Sequence, residues 1–165
     1  MPGCGKSIVG RLLAHRLSSQ FIDTDEMIEE RTGMTIPEIF TEYGERNFRD
    51  FEKEVILGLG DSSNTVISCG GGAVLDSENF SFLSGLGMVV YLKAKPETLL
   101  KRVEEEEKDR PLLKEEFSGS NDLLQVLKDL QKNRETIYQK AKYSIETDHR
   151  HYEEVVDSII GILKS

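Results

Sequence analysis

The opening Met-Pro-Gly-Cys-Gly5-Lys6-Ser7 carries the closing positions of the phosphate-binding pattern G-x-x-x-x-G-K-[ST]. Glycines let a backbone curl so that successive N–H groups aim at one phosphate, and the helix that follows adds the positive end of its dipole. A lysine at position 6 reaches β- and γ-phosphates, and a serine hydroxyl at position 7 can ligate Mg²⁺. The competing reading is a glycine-rich turn with an incidental lysine. The pattern's first glycine would precede Met1, as would the apolar strand that normally feeds such a loop. The expectation is therefore that the native chain extends upstream and that Met1 is internal to it.

Three further groups have chemistry-bearing types. Asp23-Thr-Asp25 closes an apolar stretch and sets two carboxylates two residues apart. On a strand they share a side, where one can serve a Mg²⁺ shell and the other can accept a hydroxyl proton. Asp25 reads equally well as the N-cap of a helix beginning at Glu26. Gly70-Gly71-Gly72 follows Val-Ile-Ser-Cys directly and offers bare backbone for close approach by a ligand, or a simple loop. Arg49, Arg110 and Arg134 each read singly as surface arginines. Together they supply the forked donors suited to carboxylates and phosphates.

Elements must position these residues. Strands are expected at 21–24, 66–69, 88–92 and 144–147. Helical periodicity covers 8–17, 26–31, 36–43, 45–59, 96–107, 121–141 and 152–163. Alternation of the two implies an α/β fold with a parallel sheet, helices on both faces and ligands at the strands' carboxyl ends. The stretch 114–120 reads as a mobile loop or lid.

Bulk properties narrow the class. The chain has 165 residues, enough for one domain with a proper core. Its net charge of −9 opposes non-specific nucleic-acid binding. No apolar run approaches a membrane span, and two cysteines are too few for a disulfide framework, so a reducing cytoplasm is expected.

In this order the motifs resemble the shikimate kinase family. The resemblance runs through Gly5-Lys6-Ser7, Asp23-Thr-Asp25 with Ile28-Glu29, Gly44-Glu45 with Phe48-Arg49, Gly70-Gly71-Gly72-Ala73, Arg110-Pro111-Leu112-Leu113, and Arg134 with Tyr138 and Ala141. It spans nearly the whole chain. It implies a three-layer αβα sandwich of strand order 2-3-1-4-5, with the first strand absent here. It also implies a single domain over 1–165, a lid at about 108–120 and substrate-binding helices at about 26–60. The activity implied is transfer of the γ-phosphate of ATP to the 3-hydroxyl of shikimate, with Mg²⁺, by a cytoplasmic monomer.

The resemblance also assigns roles. Gly3, Cys4, Gly5 and Lys6 would hold ATP phosphates, and Ser7 with Asp23 would hold Mg²⁺. Asp25 would bind the substrate hydroxyls and accept or align the proton. Arg49 and Arg134 would clamp the carboxylate, while Gly70, Gly71 and Gly72 line the substrate. Lys6, Asp25 and Arg110 would be catalytic, Arg110 swinging onto the phosphates. Arg102 and Tyr152, with Arg150 nearby, would contact adenine. Ile8 stands where the family usually has threonine. A kinase for a gluconate-like acid and a non-catalytic nucleotide-binding module of the same fold remain open at this point.

Overall fold

The computed structural model describes residues 1–60, 62–109 and 123–165, the side chains of 106–109 excepted. Arg110 and most of the expected lid lie outside the described residues. The chain divides into two compact units. An N-terminal unit spans Lys6–Val89, and a C-terminal unit joins Val90–Ser165 with Met1–Gly5.

The N-terminal unit runs α1 (Lys6–Leu17), β1 (Gln20–Asp23), α2 (Thr24–Thr32), α3 (Ile36–Leu57), β2 (Thr65–Ser68), a 3₁₀ turn (Ala73–Leu75) and α4 (Ser77–Leu86). Strands β1 and β2 are parallel, with Gln20 opposite Thr65 and Asp23 opposite Ser68. Their carboxyl ends therefore coincide, and the Asp25 and Gly70 segments leave from one edge. Helices α2 and α3 close on each other through Ile28, Ile39, Phe48 and Val55. A second cluster of Ile56, Leu59, Ala73 and Leu83, with Ile22 and Ile67 packed against it, joins α3 and α4 to the sheet.

Each end of these helices has a local cause. A reciprocal capping box between Thr35 and Glu38, with Pro37 in the first turn, starts α3. The two helices expected at 36–43 and 45–59 are one element broken at Gly44, whose φ of 78° and ψ of 169° only glycine adopts cheaply. Helix α4 was not anticipated. The Asp76 side chain starts it by accepting from the Glu78 and Asn79 N–H groups.

The C-terminal unit runs β3 (Val90–Lys93), α5 (Pro96–Asp109), α6 (Leu123–Tyr138), β4 (Tyr143–Glu146) and α7 (Tyr152–Leu163). Strands β3 and β4 are parallel, with Val90 opposite Tyr143 and Lys93 opposite Glu146. Leu99, Val103, Leu127, Tyr138, Ile145, Val155, Val156 and Ile159 form its buried interior. All four expected strands exist, each displaced by one or two residues.

Candidate active site

Asp23 ends β1 with extended backbone and assigns its two oxygens to different partners. Oδ1 accepts from the Asp25 N–H at 3.1 Å, and so caps α2. Oδ2 accepts from the Ser7 hydroxyl at 2.7 Å. The capping alternative for Asp25 is thereby corrected. The helix begins two residues earlier than the sequence suggested, because Asp23 is the cap and Asp25 stands inside the first turn. The two carboxylates meet through a strand-to-helix corner rather than through strand alternation.

Asp25 faces the backbone that leaves β2. The Gly70 N–H donates to the buried Thr24 hydroxyl at 3.0 Å. A Cβ built on Gly70 would stand 2.5 Å from Asp25 Oδ1 and 3.0 Å from Glu52 Oε1, so only glycine fits. Burial is the main force raising the Asp25 carboxyl, from 3.8 to about 6. The charges of Asp23, Glu52 and Glu29 push the same way, and that of Lys6 opposes them. The same surroundings push the Cys69 thiol up to about 12, first by burial and then by Asp25. Cys69 is thus a neutral wall of the site and no nucleophile.

Sequence reasoning missed Glu52. Its residue is 1% exposed, and Oε2 accepts from Arg49 Nη1 at 2.8 Å. Arg49 Nη2 donates to Glu45 Oε1 at 3.2 Å. Burial opposes the Arg49 charge, but the bonds and charges of Glu52 and Glu45 outweigh it and raise the arginine further. The guanidinium lies 5.1 Å from the Phe48 ring centre, and Phe48 in turn stacks on Phe40 at 4.6 Å. A Cβ on Gly72 would fall onto that guanidinium. The only sequence signal for Glu52 was its i+3 spacing from Arg49 within a charged helix.

In the N-terminal unit the structure therefore gathers Ser7 with Asp23, Asp25 with Gly70, and Arg49 with Gly72. The oxygen pair of Ser7 and Asp23 suits a hard cation. Among the described residues no group of three or more His, Cys, Asp or Glu could hold a metal alone.

Lys6 opens the N-terminal unit, and the C-terminal unit holds Gly3, Cys4, Gly5, Arg102, Arg134, Arg150 and Tyr152. Gly3 and Gly5 have φ of 67° and 86°, which bends the opening chain into a loop. Cys4 between them is buried. The Tyr152 ring rests on Gly5, where a Cβ would stand 2.9 Å from Cε1. Arg102 donates to Thr147 Oγ1 at 3.0 Å, to Thr147 O at 2.7 Å and to Gly3 O at 3.4 Å. Its donor edge is thus spent on Thr147 and on the opening loop. Arg150 donates through Nη2 to Glu154 O and Ser158 Oγ, each at 2.7 Å, and secures the start of α7. Arg134 is half-buried on α6 and forms no ion pair among the described residues.

Known proteins bear on this arrangement. The family profile described as "Shikimate kinase" matches residues 2–164. A shikimate kinase of Thermus thermophilus is 44% identical over 158 residues, which are 96% of this chain and 83% of that protein. One from Geobacter metallireducens is 41% identical over 162 residues, 98% of this chain and 87% of that one. Among solved structures, a shikimate kinase from Acinetobacter baumannii in complex with shikimate superposes with a TM-score of 0.87 at 38% identity, covering 98% of this chain and 88% of that one. The enzyme from Bacteroides thetaiotaomicron gives 0.85 at 30% identity, with 99% and 94% covered.

Proposed function

The chain belongs to the shikimate kinase family, and from that premise we propose how its residues transfer the γ-phosphate of ATP to the 3-hydroxyl of shikimate. The observation that carries the reading is the corner at Gly70. There a carboxyl raised to about 6 lies against bare backbone. An arginine held by a buried glutamate lies against Gly72, two residues further on.

Asp25 takes the hydroxyl proton as the substrate oxygen bonds to the γ-phosphorus and the bond to the ADP oxygen breaks. A carboxyl near 6 is mostly ionised at neutral pH yet basic enough to accept a proton, which suits a general base. Arg49 binds the substrate carboxylate, together with Arg134. Its partners Glu52 and Glu45 fix the fork in advance, so little rotamer entropy is lost on binding. Gly70, Gly71 and Gly72 let the sugar-like ring approach the backbone.

Lys6 and the N–H groups of Gly3, Cys4 and Gly5 hold the phosphates. Ser7, with Asp23 assisting through water, would hold Mg²⁺, which would supply positive charge against the phosphates. Arg102 and Tyr152 stack on adenine, with Arg150 supporting their loop. Arg110, in a segment near 108–120, closes over the phosphates.

The same reading makes 1–165 a single working domain, with 26–60 as its substrate-binding helices, acting as a cytoplasmic monomer. No helix among the described residues is long and apolar enough to cross a membrane. A net charge of −9 discourages binding to nucleic acid.

The test is direct. The purified chain is mixed with ATP, Mg²⁺ and shikimate, and the products are followed by phosphorus NMR. Shikimate 3-phosphate and ADP should appear in equal amounts, and gluconate should give neither. ADP without a phosphorylated acid would overturn the assignment.

A further inference from the structure

Helix α6 carries Arg134, and one face of it is fastened to the carboxyl end of β3. Glu135 uses both carboxylate oxygens there. Oε1 accepts from Lys93 Nζ at 2.8 Å, and Oε2 accepts from the Tyr91 hydroxyl at 3.0 Å. Gln139 Nε2, one turn on, also donates to Oε1 at 3.1 Å. One turn earlier, Gln131 Nε2 donates to Ala94 O at 3.3 Å, just past the strand. The Tyr138 ring packs on Tyr91 with centres 4.9 Å apart.

Gln131, Arg134, Glu135 and Tyr138 stand at i, i+3, i+4 and i+7, so they share a stripe of the helix. At about 100° per residue, Glu135 flanks one side of that stripe and Arg134 flanks the other. Fastening Glu135 to Lys93, the last residue of β3, therefore sets the rotation of α6 about its own axis. It also leaves Arg134 beside the carboxyl end of a parallel strand, where ligands of such folds gather.

Lys93 and Glu135 are 36% and 22% exposed as side chains. A fully solvated pair would contribute little. This one is shared with a buried tyrosine hydroxyl, so breaking it leaves a donor without its partner.

We propose that Glu135, held by Lys93 and Tyr91, is a positioning residue that orients Arg134 for the substrate carboxylate. The inference rests on the reading that Arg134 binds that carboxylate. Glu135 itself touches no substrate.

The experiment is a double-mutant cycle on the full chain, with KM for shikimate, KM for ATP, kcat and Tm measured for each variant. In Glu135→Gln, KM for shikimate should rise about tenfold, as for a binding group displaced by a fraction of an ångström. KM for ATP and kcat should stay within about twofold, since the binding lost is the same in the ground and transition states. In an Arg134→Ala background the same change should add nothing. Lys93→Met should repeat both results, and it serves in place of Glu135→Gln if that variant does not fold.

A rise in both KM values that persists in the Arg134→Ala background would mean general loosening of α6, and would overturn the proposal. Arg134→Ala raising KM for shikimate while Glu135→Gln does not would also overturn it, and would leave the role of Arg134 standing. If Arg134→Ala leaves KM for shikimate unchanged, the role of Arg134 falls and the proposal with it.

Discussion

Two places, the Asp25 corner of the N-terminal unit and the end of β3 in the C-terminal unit, treat charge in opposite ways. In the N-terminal unit Asp23, Asp25, Glu29 and Glu52 crowd one corner, and their mutual repulsion adds to burial in raising Asp25. In the C-terminal unit the acids meet donors. Asp148 accepts from the Lys95 N–H at 3.1 Å and from the Thr98 hydroxyl. Burial acts against it, yet those bonds and the charges of Lys95 and Arg102 hold it below the usual range. Glu135, bonded to Lys93, Tyr91 and Gln139, is likewise held low against the pull of burial. Matched acids stabilise a fold. A crowded acid costs stability and is retained where its basicity is used.

The largest break in that contrast is Asp25→Asn. Turnover should fall by about 10²–10⁴ with ATP binding nearly unchanged. Because the folded pKa lies above the unfolded one, the acid stabilises the fold below pH 3.8, and that contribution is lost as pH rises through about 6. Above that pH the asparagine variant should therefore be the more stable protein, by up to about 3 kcal/mol. Denaturant titrations at pH 4 and pH 8 check the sign. Equal stabilities at both, with normal turnover, would reduce Asp25 to scaffolding.

Lys6→Met removes the cation that moderates the same corner. It should lower kcat by about 10²–10³, as for loss of one preorganised charge, and weaken ATP binding while shikimate binding holds. Isothermal titration with each substrate separates the two. Gly70→Ala is milder. Its methyl would displace the Asp25 carboxylate, and a loss of about 10–10² in kcat is expected, with a near-normal fold by circular dichroism.

The smallest effect belongs to the matched side. Asp148→Ala should cost about 1 kcal/mol at pH 7 and leave kcat within about twofold. Its sign with pH is reversed. A depressed carboxyl contributes stability above its unfolded value of 3.8, and the contribution is lost as pH falls below that. The gap between wild type and variant should therefore close in acid, where that for Asp25→Asn behaves oppositely.

Much of this was legible in the sequence because phosphate and carboxylate chemistry demands particular residue types. Ser7, Asp23, Asp25, Arg49 and the glycines at 70 and 72 stood out by type, and the structure brings them together in pairs; the break at Gly44 was visible between two periodic stretches. What stayed hidden depends on partners far apart in the chain or on composition that misleads. Glu52 looks like any acid in Phe48-Arg-Asp-Phe-Glu52, and only burial distinguishes it from Asp50, which is exposed. Helix α4 is rich in Ser, Asn and Gly, weak helix formers, and its start depends on the Asp76 cap. The cap of α2 was misplaced by two residues because Asp23 and Asp25 are both good caps. Which one caps is decided by where β1 stops pairing with β2.

Asp23 has one further consequence. Its oxygens belong to separate circuits, Oδ1 to the peptide N–H of α2 and Oδ2 to the hydroxyl at the head of α1. A visitor at the Ser7 side can recruit Oδ2 without unlatching the helix that carries Asp25. Occupancy at Ser7 thus need not move Asp25. The carboxylate works as an insulated junction, mechanically shared and functionally divided.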